Sequence, residues 1–145
     1  MKPSDVPEGP IVVDTGVVSH LHYGRGRHEE WRALFGESPL FLSFASAGEL
    51  WHGAEKVKLG NANRAMLDAT IRSYYPITGN DDVAQIFGRL MAWLEDQLKK
   101  GGINDLWIAA SALALDPPAA VATLDLNDFK KIVAVSGLTL IHPDL

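Results

Sequence analysis

Short apolar runs that alternate with helical segments are the feature that most constrains the fold of this chain. Most of the runs are rich in Val, Ile, Leu and Ala, which is typical of strands buried on both faces of a sheet. The strands are predicted at Ile11–Val13, Leu40–Phe44, Tyr74–Ile77, Ala119–Thr123 and Leu138–Ile141. Helices between such strands cover both faces of a parallel sheet. The alternation therefore predicts an α/β fold, a three-layer α/β/α sandwich with a central, mainly parallel sheet of four or five strands.

The helical segments differ in how clearly their ends are marked. The longest is predicted at Asp81–Lys100, where apolar residues fall on one face at helical spacing and Gly101–Gly102 end the helix. The apolar segment Leu106–Leu115 is predicted to be the next helix, beginning at Asn104 or Asp105. After the fourth strand only a short helical turn is expected.

The length of 145 residues fits one compact domain. Residues 1–10 are predicted to form a polar N-terminal arm without the apolar segment of a secretory signal, and residues 11–145 a single domain. No apolar run approaches the ~20 residues of a membrane span. The chain has no cysteine, which excludes disulfides and cysteine-ligated metal sites and fits a cytoplasmic protein.

Acidic side chains follow the predicted strands at the edge where parallel α/β sheets bind ligands. Asp14 comes directly after the first strand, Asp125 after the fourth, and Glu49 in the first turn of the helix that follows the second. These acids are expected on one rim. Asp105 precedes a strand, so it joins them only if the helix Asp81–Lys100, roughly 30 Å long, returns the chain to that rim.

Each acid also has a purely structural interpretation. Glu49 stands three residues after Ser46, which is the spacing of a capping box at the start of a helix. Asp105 is suited to cap a helix, and Asp125 to form a turn. Asp14 is harder to explain in this way, because a carboxylate next to a buried strand needs a partner, a metal or a proton.

Carboxylates gathered in one pocket repel one another, which raises their pKa values, and a divalent cation relieves the repulsion. Oxygen ligands favour Mg²⁺ or Mn²⁺ over zinc. Such a site activates water for phosphodiester hydrolysis. The net charge of −5 opposes binding to nucleic acid unless the acids hold cations and basic side chains lie nearby.

Four segments in order resemble the PIN-domain family, and more closely its VapC-type toxins. They read I-V-V-D-T-G-V-V-S-H-L from Ile11, S-F-A-S-A-G-E-L-W-H-G-A from Ser43, N-D-L-W-I-A-A-S-A-L from Asn104 and V-A-T-L-D-L-N-D-F from Val121. The final G-L-T-L-I from Gly137 resembles the family's closing strand. In the first segment Gly16 departs from the family, which often has a polar residue there, so one supporting contact is expected to be missing.

The resemblance implies a metal-dependent endoribonuclease in which metal-activated water cleaves RNA. Asp14, Glu49 and Asp105 are expected to hold the main Mg²⁺ or Mn²⁺ ion, with Asp125 as the fourth acid and Asp128 as the second choice for that role. The side chains expected to support these acids are those of Thr15, Ser46, Asn104 and Thr123. The side chains expected to contact RNA phosphates are those of Arg25, Arg27 and Lys56, although each also fits an ordinary solvated charge.

The resemblance also implies partners. VapC-type toxins form homodimers, and each is silenced by a cognate antitoxin that places a basic side chain near the acids. This chain is therefore expected to be the toxin of a toxin–antitoxin pair, with RNA as its substrate.

Two other functions remain open at this stage. A receiver-like phosphoacceptor needs a second acid beside Asp14 and a lysine after the last strand, whereas Thr15 and Gly16 follow Asp14 here. A non-catalytic PIN-like binding domain is expected to have lost acids that this chain retains.

Overall fold

The computed structural model describes all 145 residues. Its strands are β1 (Ile11–Val13), β2 (Leu40–Ser43), β3 (Tyr75–Ile77), β4 (Ala120–Ala122) and β5 (Leu140–Ile141). Its helices are α1 (Thr15–Tyr23), α2 (His28–Phe35), α3 (Phe44–Lys56), α4 (Asn61–Arg72), α5 (Asp81–Leu94), α6 (Gly102–Leu113) and α7 (Leu126–Ser136). Short 3₁₀ turns lie at Pro3–Asp5 and Glu95–Gln97. None of the helices has the length and apolar character needed to traverse a lipid bilayer.

The five strands form one sheet in the order β3-β2-β1-β4-β5, and every neighbouring pair is parallel. The predicted α/β fold is confirmed, with five strands. Pro76 is tolerated because β3 lies at the edge of the sheet, where a missing N–H breaks no central ladder. The chain builds β2 and β3 on one side of β1, then crosses to β4 and β5 on the other. The crevice for a ligand is therefore expected at the carboxyl ends of β1 and β4, where the strand order reverses.

The alternation of side chains along β1 divides the core into two layers. Ile11 and Val13 pack with α1 to α4 on one face, around the fully buried Trp31. Val12 packs with α5, α6 and α7 on the other face, around Phe129. This is the three-layer sandwich that continuous apolar strands predict.

Several predicted helix limits were wrong. α5 ends at Leu94 and not at Lys100, and α6 begins at Gly102, which places Asp105 in its first turn and not at its cap. After Asp125 the chain forms the 11-residue helix α7, where only a short turn was expected.

The predicted capping box of α3 was also wrong. Ser43 caps the helix, because its hydroxyl accepts a hydrogen bond from the Ala45 N–H at 3.2 Å. Ser46 instead lies inside the first turn and is fully buried. Glu49 is therefore not engaged at the cap and is available to the rim.

The ends of the chain meet on the surface. The Met1 ammonium donates hydrogen bonds to the carbonyls of Pro143 (3.0 Å) and Leu145 (2.8 Å). Met1 and Val6 also pack against the core layer around Trp31. The polar N-terminal arm is thus attached to the rest of the molecule.

Candidate metal centre

Asp14 lies where β1 passes into α1, next to the end of β4. Its backbone N–H donates to the Ala122 carbonyl at 2.9 Å. Oδ1 accepts a hydrogen bond from the Thr15 N–H at 2.7 Å, and Oδ2 accepts one from the Thr123 hydroxyl at 2.8 Å. The carboxylate is therefore fixed through both oxygens, each of which keeps a lone pair for a further ligand.

Thr15 links the first acid to the second. Its hydroxyl donates a hydrogen bond to Glu49 Oε1 at 2.8 Å, while its backbone N–H is bound to Asp14. One residue at the start of α1 thus holds two carboxylates, one next to it in the sequence and one 34 positions away.

Asp105 lies on the same rim, which settles the topological doubt raised by the sequence. Burial raises the pKa of this carboxyl, and together with the negative charges of Asp14, Asp128, Glu49 and Asp125 it brings the pKa to about 7. The 14 residues of α5 and the loop after it return the chain to the carboxyl ends of the strands. The other four acids are therefore close enough to act on Asp105.

The carboxyl of Asp14 is also partly buried and close to other negative charges. Burial raises its pKa, the hydrogen bonds from Thr123 and Thr15 oppose that rise, and the charges of Glu49 and Asp125 add to it. The two donors therefore limit the rise in the pKa of Asp14 without cancelling it.

The fourth segment contributes two acids with different surroundings. Asp125 caps α7 by accepting a hydrogen bond from the Asp128 N–H at 3.1 Å, which lowers its pKa, and the charge of Lys99 lowers it further. Its own N–H donates to the Thr123 hydroxyl at 3.0 Å. Asp128 forms an ion pair with Lys99 at 3.7 Å. Both acids act on Asp105, so the choice between them as the fourth acid stays open.

The donor set fits a hard divalent cation, because it consists of carboxylate and hydroxyl oxygens. The pKa of Asp105 is raised by burial and by the neighbouring negative charges, and a bound cation would offset both effects. No three Asp, Glu or His side chains are already arranged as a complete ligand set. Binding of an ion therefore requires the side chains on the rim to adjust.

The remaining expected supports differ in their contacts. Ser46 lies one turn before Glu49 on α3, and its buried hydroxyl has no hydrogen-bond partner. Asn104 lines an open cleft with Glu49 and the ring of Trp107. Gly16 has little room for the polar side chain common in the family, since a Cβ there would lie 2.8 Å from Leu124 Cδ1.

The three basic residues expected to contact RNA lie in different settings. Arg25 covers the ring of Tyr23 at 4.6 Å and lines a groove that reaches Glu49. Arg27 is engaged in ion pairs with Glu30 and Asp144, both at 2.6 Å. Lys56 is exposed in the last turn of α3. Contact of these residues with RNA stays a prediction.

Sequence reasoning missed two basic residues beside the acids. Lys99 and Lys131 line a narrow cleft together with Asp105 and Asp128. Lys99 had been assigned to the end of a long helix. The run K-K-G-G directly before the helix of Asp105 was the signal that a loop lies there.

Comparisons with known proteins agree with this geometry. A family model described as "PIN domain" matches residues 11–134. Ribonuclease VapC1 of Haemophilus influenzae (strain R2866) is 29% identical over 130 residues, which cover 83% of this chain and 90% of that protein.

Solved structures with similar folds come from toxin–antitoxin complexes. VapBC2 from Rickettsia felis, bound to a DNA fragment, matches with a TM-score of 0.72 at 23% identity, over 91% of this chain and 97% of that one. VapBC-5 from Mycobacterium tuberculosis, a member of the VapBC family of toxin–antitoxin systems, matches with a TM-score of 0.64 at 26% identity, over 94% and 99% of the two chains.

Proposed function

This chain belongs to the PIN-domain family, and on that basis we propose that it is a metal-dependent endoribonuclease, the toxin component of a toxin–antitoxin pair. The observation that carries the proposal is the meeting of Asp14, Glu49 and Asp105 on one rim, with the pKa of Asp105 raised to about 7. The similarity to a ribonuclease over most of both chains supports RNA as the substrate.

Asp14, Glu49 and Asp105 would hold Mg²⁺ or Mn²⁺, with Asp125 or Asp128 as the fourth acid. When bound, such an ion makes water a stronger nucleophile and stabilises negative charge on a phosphodiester. Thr15 and Thr123 keep Asp14 and Glu49 in place by hydrogen bonds. Fixed ligands of this kind reduce the reorganisation that the reaction requires.

The acids have different protonation states before the ion binds. Asp105 carries a proton for part of the time near neutral pH, because its pKa is about 7. Asp125 is exposed and its pKa is lowered by the hydrogen bonds at the start of α7, so it is ionised. Its negative charge is thus available to a second cation or to orient the attacking water molecule.

The partners follow from the relatives. Structures of VapBC complexes among the similar folds support a cognate antitoxin as the inhibitor of this chain. We propose in addition that the toxin forms a homodimer and acts in the cytoplasm, where its RNA substrate is found.

The test uses purified protein, a mixed cellular RNA and Mg²⁺. Wild type is expected to cleave the RNA, and chelation of the metal is expected to stop cleavage. Asp14→Asn and Asp105→Asn are expected to lose activity at least 100-fold, because each removes a charged ligand. Asp82→Asn, an exposed acid at the start of α5, is the matched control and should cleave normally.

The outcomes separate the proposal from its rivals. Equal cleavage by wild type and Asp14→Asn would show that the activity comes from a contaminant or another site. Incorporation of phosphate at Asp14 without RNA cleavage would favour a receiver-like phosphoacceptor. RNA binding without cleavage would favour a non-catalytic binding domain.

A further inference from the structure

The loop between α5 and α6 is held against the acidic rim by two hydrogen bonds. Lys131 on α7 donates from Nζ to the Gln97 carbonyl at 3.1 Å. The Gly102 N–H donates to the Lys99 carbonyl at 2.9 Å. The loop is therefore tied to both helices that carry acids on this side, which fixes the backbone from which Lys99 projects.

Lys99 reaches the acids from this loop. Its ammonium lies 3.7 Å from Asp128 Oδ1, and its side chain is 71% exposed. An ion pair this long and this exposed contributes little to folding. Stability is thus a weak reason for a cation at this position.

The cleft beside Lys99 is lined by Asp105 and Asp128 as well as by Lys99 and Lys131. Its interior has room for about one water molecule, so a larger ligand would contact the exposed Lys99 ammonium at the mouth of the cleft. Lys131 is occupied with the Gln97 carbonyl, so Lys99 supplies the more available positive charge. The partner of Lys99 is the single carboxylate of Asp128, which is itself a candidate ligand of the metal ion.

The electrostatics of the whole chain give Lys99 a role. RNA has to approach five carboxylates on a protein with a net charge of −5, so cations at the rim are needed to attract phosphates. Arg27 is engaged in ion pairs elsewhere, whereas Lys99 stands at the edge of the acid cluster itself.

We propose that Lys99 binds an RNA phosphate next to the scissile one, on the Asp105 side of the acids, and that Lys131 positions the loop for this contact. The inference rests on the proposed ribonuclease function and assigns part of its substrate site. An RNA phosphate at the mouth of the cleft replaces the Asp128 carboxylate as the partner of Lys99. The Asp128 carboxylate is then free to act at the acidic rim.

The experiment measures RNA binding separately from cleavage. All variants carry Asp105→Asn, so that a fluorescent single-stranded RNA of mixed sequence stays intact. Fluorescence anisotropy gives the dissociation constant at salt concentrations from about 50 to about 200 mM, a range over which binding through phosphate contacts weakens strongly. Lys99→Ala is expected to weaken binding and to lower the slope of log K against log salt by about 0.7 to 1, the share of one phosphate contact.

Lys100→Ala is the matched control, because Lys100 is the next residue on the same loop and is exposed, but does not line the cleft. It should keep the parental salt slope. Lys99→Arg should retain most of the binding, since it keeps the charge. With Asp105 restored and Mg²⁺ present, Lys99→Ala should raise KM several-fold with little change in kcat.

Two results overturn the proposal: an unchanged salt slope for Lys99→Ala, or an equal loss for Lys100→Ala. If wild type cleaves RNA while Lys99→Ala behaves like its parent, only this inference fails. If wild type neither binds nor cleaves RNA, the proposed function itself fails. Circular dichroism of each variant verifies that the exposed substitutions leave the fold intact.

Discussion

The carboxylate of Asp14 is held by one hydrogen bond to each oxygen. Thr123 supplies the second of these and also accepts the Asp125 N–H, so one fully buried hydroxyl connects two acids of the site. The sequence placed Thr123 near the acids through the family resemblance. It gave no way to see that the hydroxyl donates to Asp14, because that contact joins residues 109 positions apart.

Thr123→Val tests this connection with a side chain of the same shape. Loss of the donor leaves Asp14 Oδ2 without its partner, which costs about 1–3 kcal/mol of stability and raises the pKa of Asp14 further. Cleavage is expected to fall 10- to 100-fold, roughly the effect of removing a hydrogen bond that orients a metal ligand. Thr123→Ser keeps the hydroxyl and should be near normal. Wild-type activity in Thr123→Val would exclude this role.

The raised pKa of Asp105 predicts how stability depends on pH without metal. The unfolded chain loses this proton near the ordinary value of 3.8, whereas the folded protein holds it until about pH 7. Over that interval the folded state binds more protons, so stability falls as pH rises. Thermal unfolding is measured in the presence of a chelator from about pH 4 to about pH 7. The Tm of wild type should fall relative to that of Asp105→Asn as the pH rises over this interval.

Asp105→Asn should be more stable than wild type at pH 8 while being inactive, because an amide carries no charge to be repelled. The difference between the two proteins should vanish near pH 4, where the carboxyl is neutral in wild type. A pH-independent difference in Tm would contradict the assigned electrostatics.

At the scale of elements, the limits of α3 show where local patterns become ambiguous. Ser43 and Ser46 are both serines before an apolar helix, and Ser46 has Glu49 at capping-box spacing. The structure selects Ser43, whose hydroxyl caps the helix and also lies 2.9 Å from the Ser111 hydroxyl on α6. The contact of Ser43 with a distant helix is part of what distinguishes the two serines, and no local rule contains it.

Alanine substitutions should distinguish the two serines. Ser43→Ala removes a cap and a buried partner of Ser111, and should lower the free energy of unfolding by about 1–2 kcal/mol. Ser46→Ala removes a buried hydroxyl that has no partner, so stability should stay equal or rise by up to about 1 kcal/mol. Urea denaturation measures both. A larger loss for Ser46→Ala than for Ser43→Ala would mean that the cap is assigned to the wrong residue.

The end of α5 was missed for a related reason. Leu98 continues the helical spacing from Leu94 and packs against the same core layer, although a 3₁₀ turn has already ended the helix. Hydrophobic periodicity indicates which side chains reach the core. It does not distinguish a continuing helix from a turn that places the next apolar side chain in the core. The loop that carries Lys99 was hidden in this way.

At the scale of the whole molecule, the strand order explains why the acids were largely predictable and Asp105 was not. Asp14 and Asp125 follow β1 and β4, which are neighbours at the point where the strand order reverses, so the general rule for parallel sheets is sufficient. The position of Asp105 depends on how α5 crosses the sheet and where α6 begins. That is a property of the assembled layers, which only the family resemblance supplied beforehand.

The same assembly makes the fold itself sensitive to divalent cations. Bringing Asp14, Glu49 and Asp105 together costs free energy in the folded state alone, because the unfolded chain keeps these charges apart. An ion that binds the rim stabilises the folded state by about 2.7 kcal/mol at 100 times its dissociation constant. For a chain of this length, about 2–4 °C per kcal/mol gives a rise in Tm of about 5–10 °C.

The controls decide whether that rise comes from the rim. Mg²⁺ and Mn²⁺ should both raise the Tm of wild type at pH 8, whereas NaCl at equal ionic strength should not, because screening does not replace ligation. The double variant Asp14→Asn, Asp105→Asn should start from a higher metal-free Tm and show little further rise, since its repulsion has already been removed. The same metal-induced shift in that variant would place the ion at other carboxylates, and the catalytic role proposed for these acids would lose its physical basis.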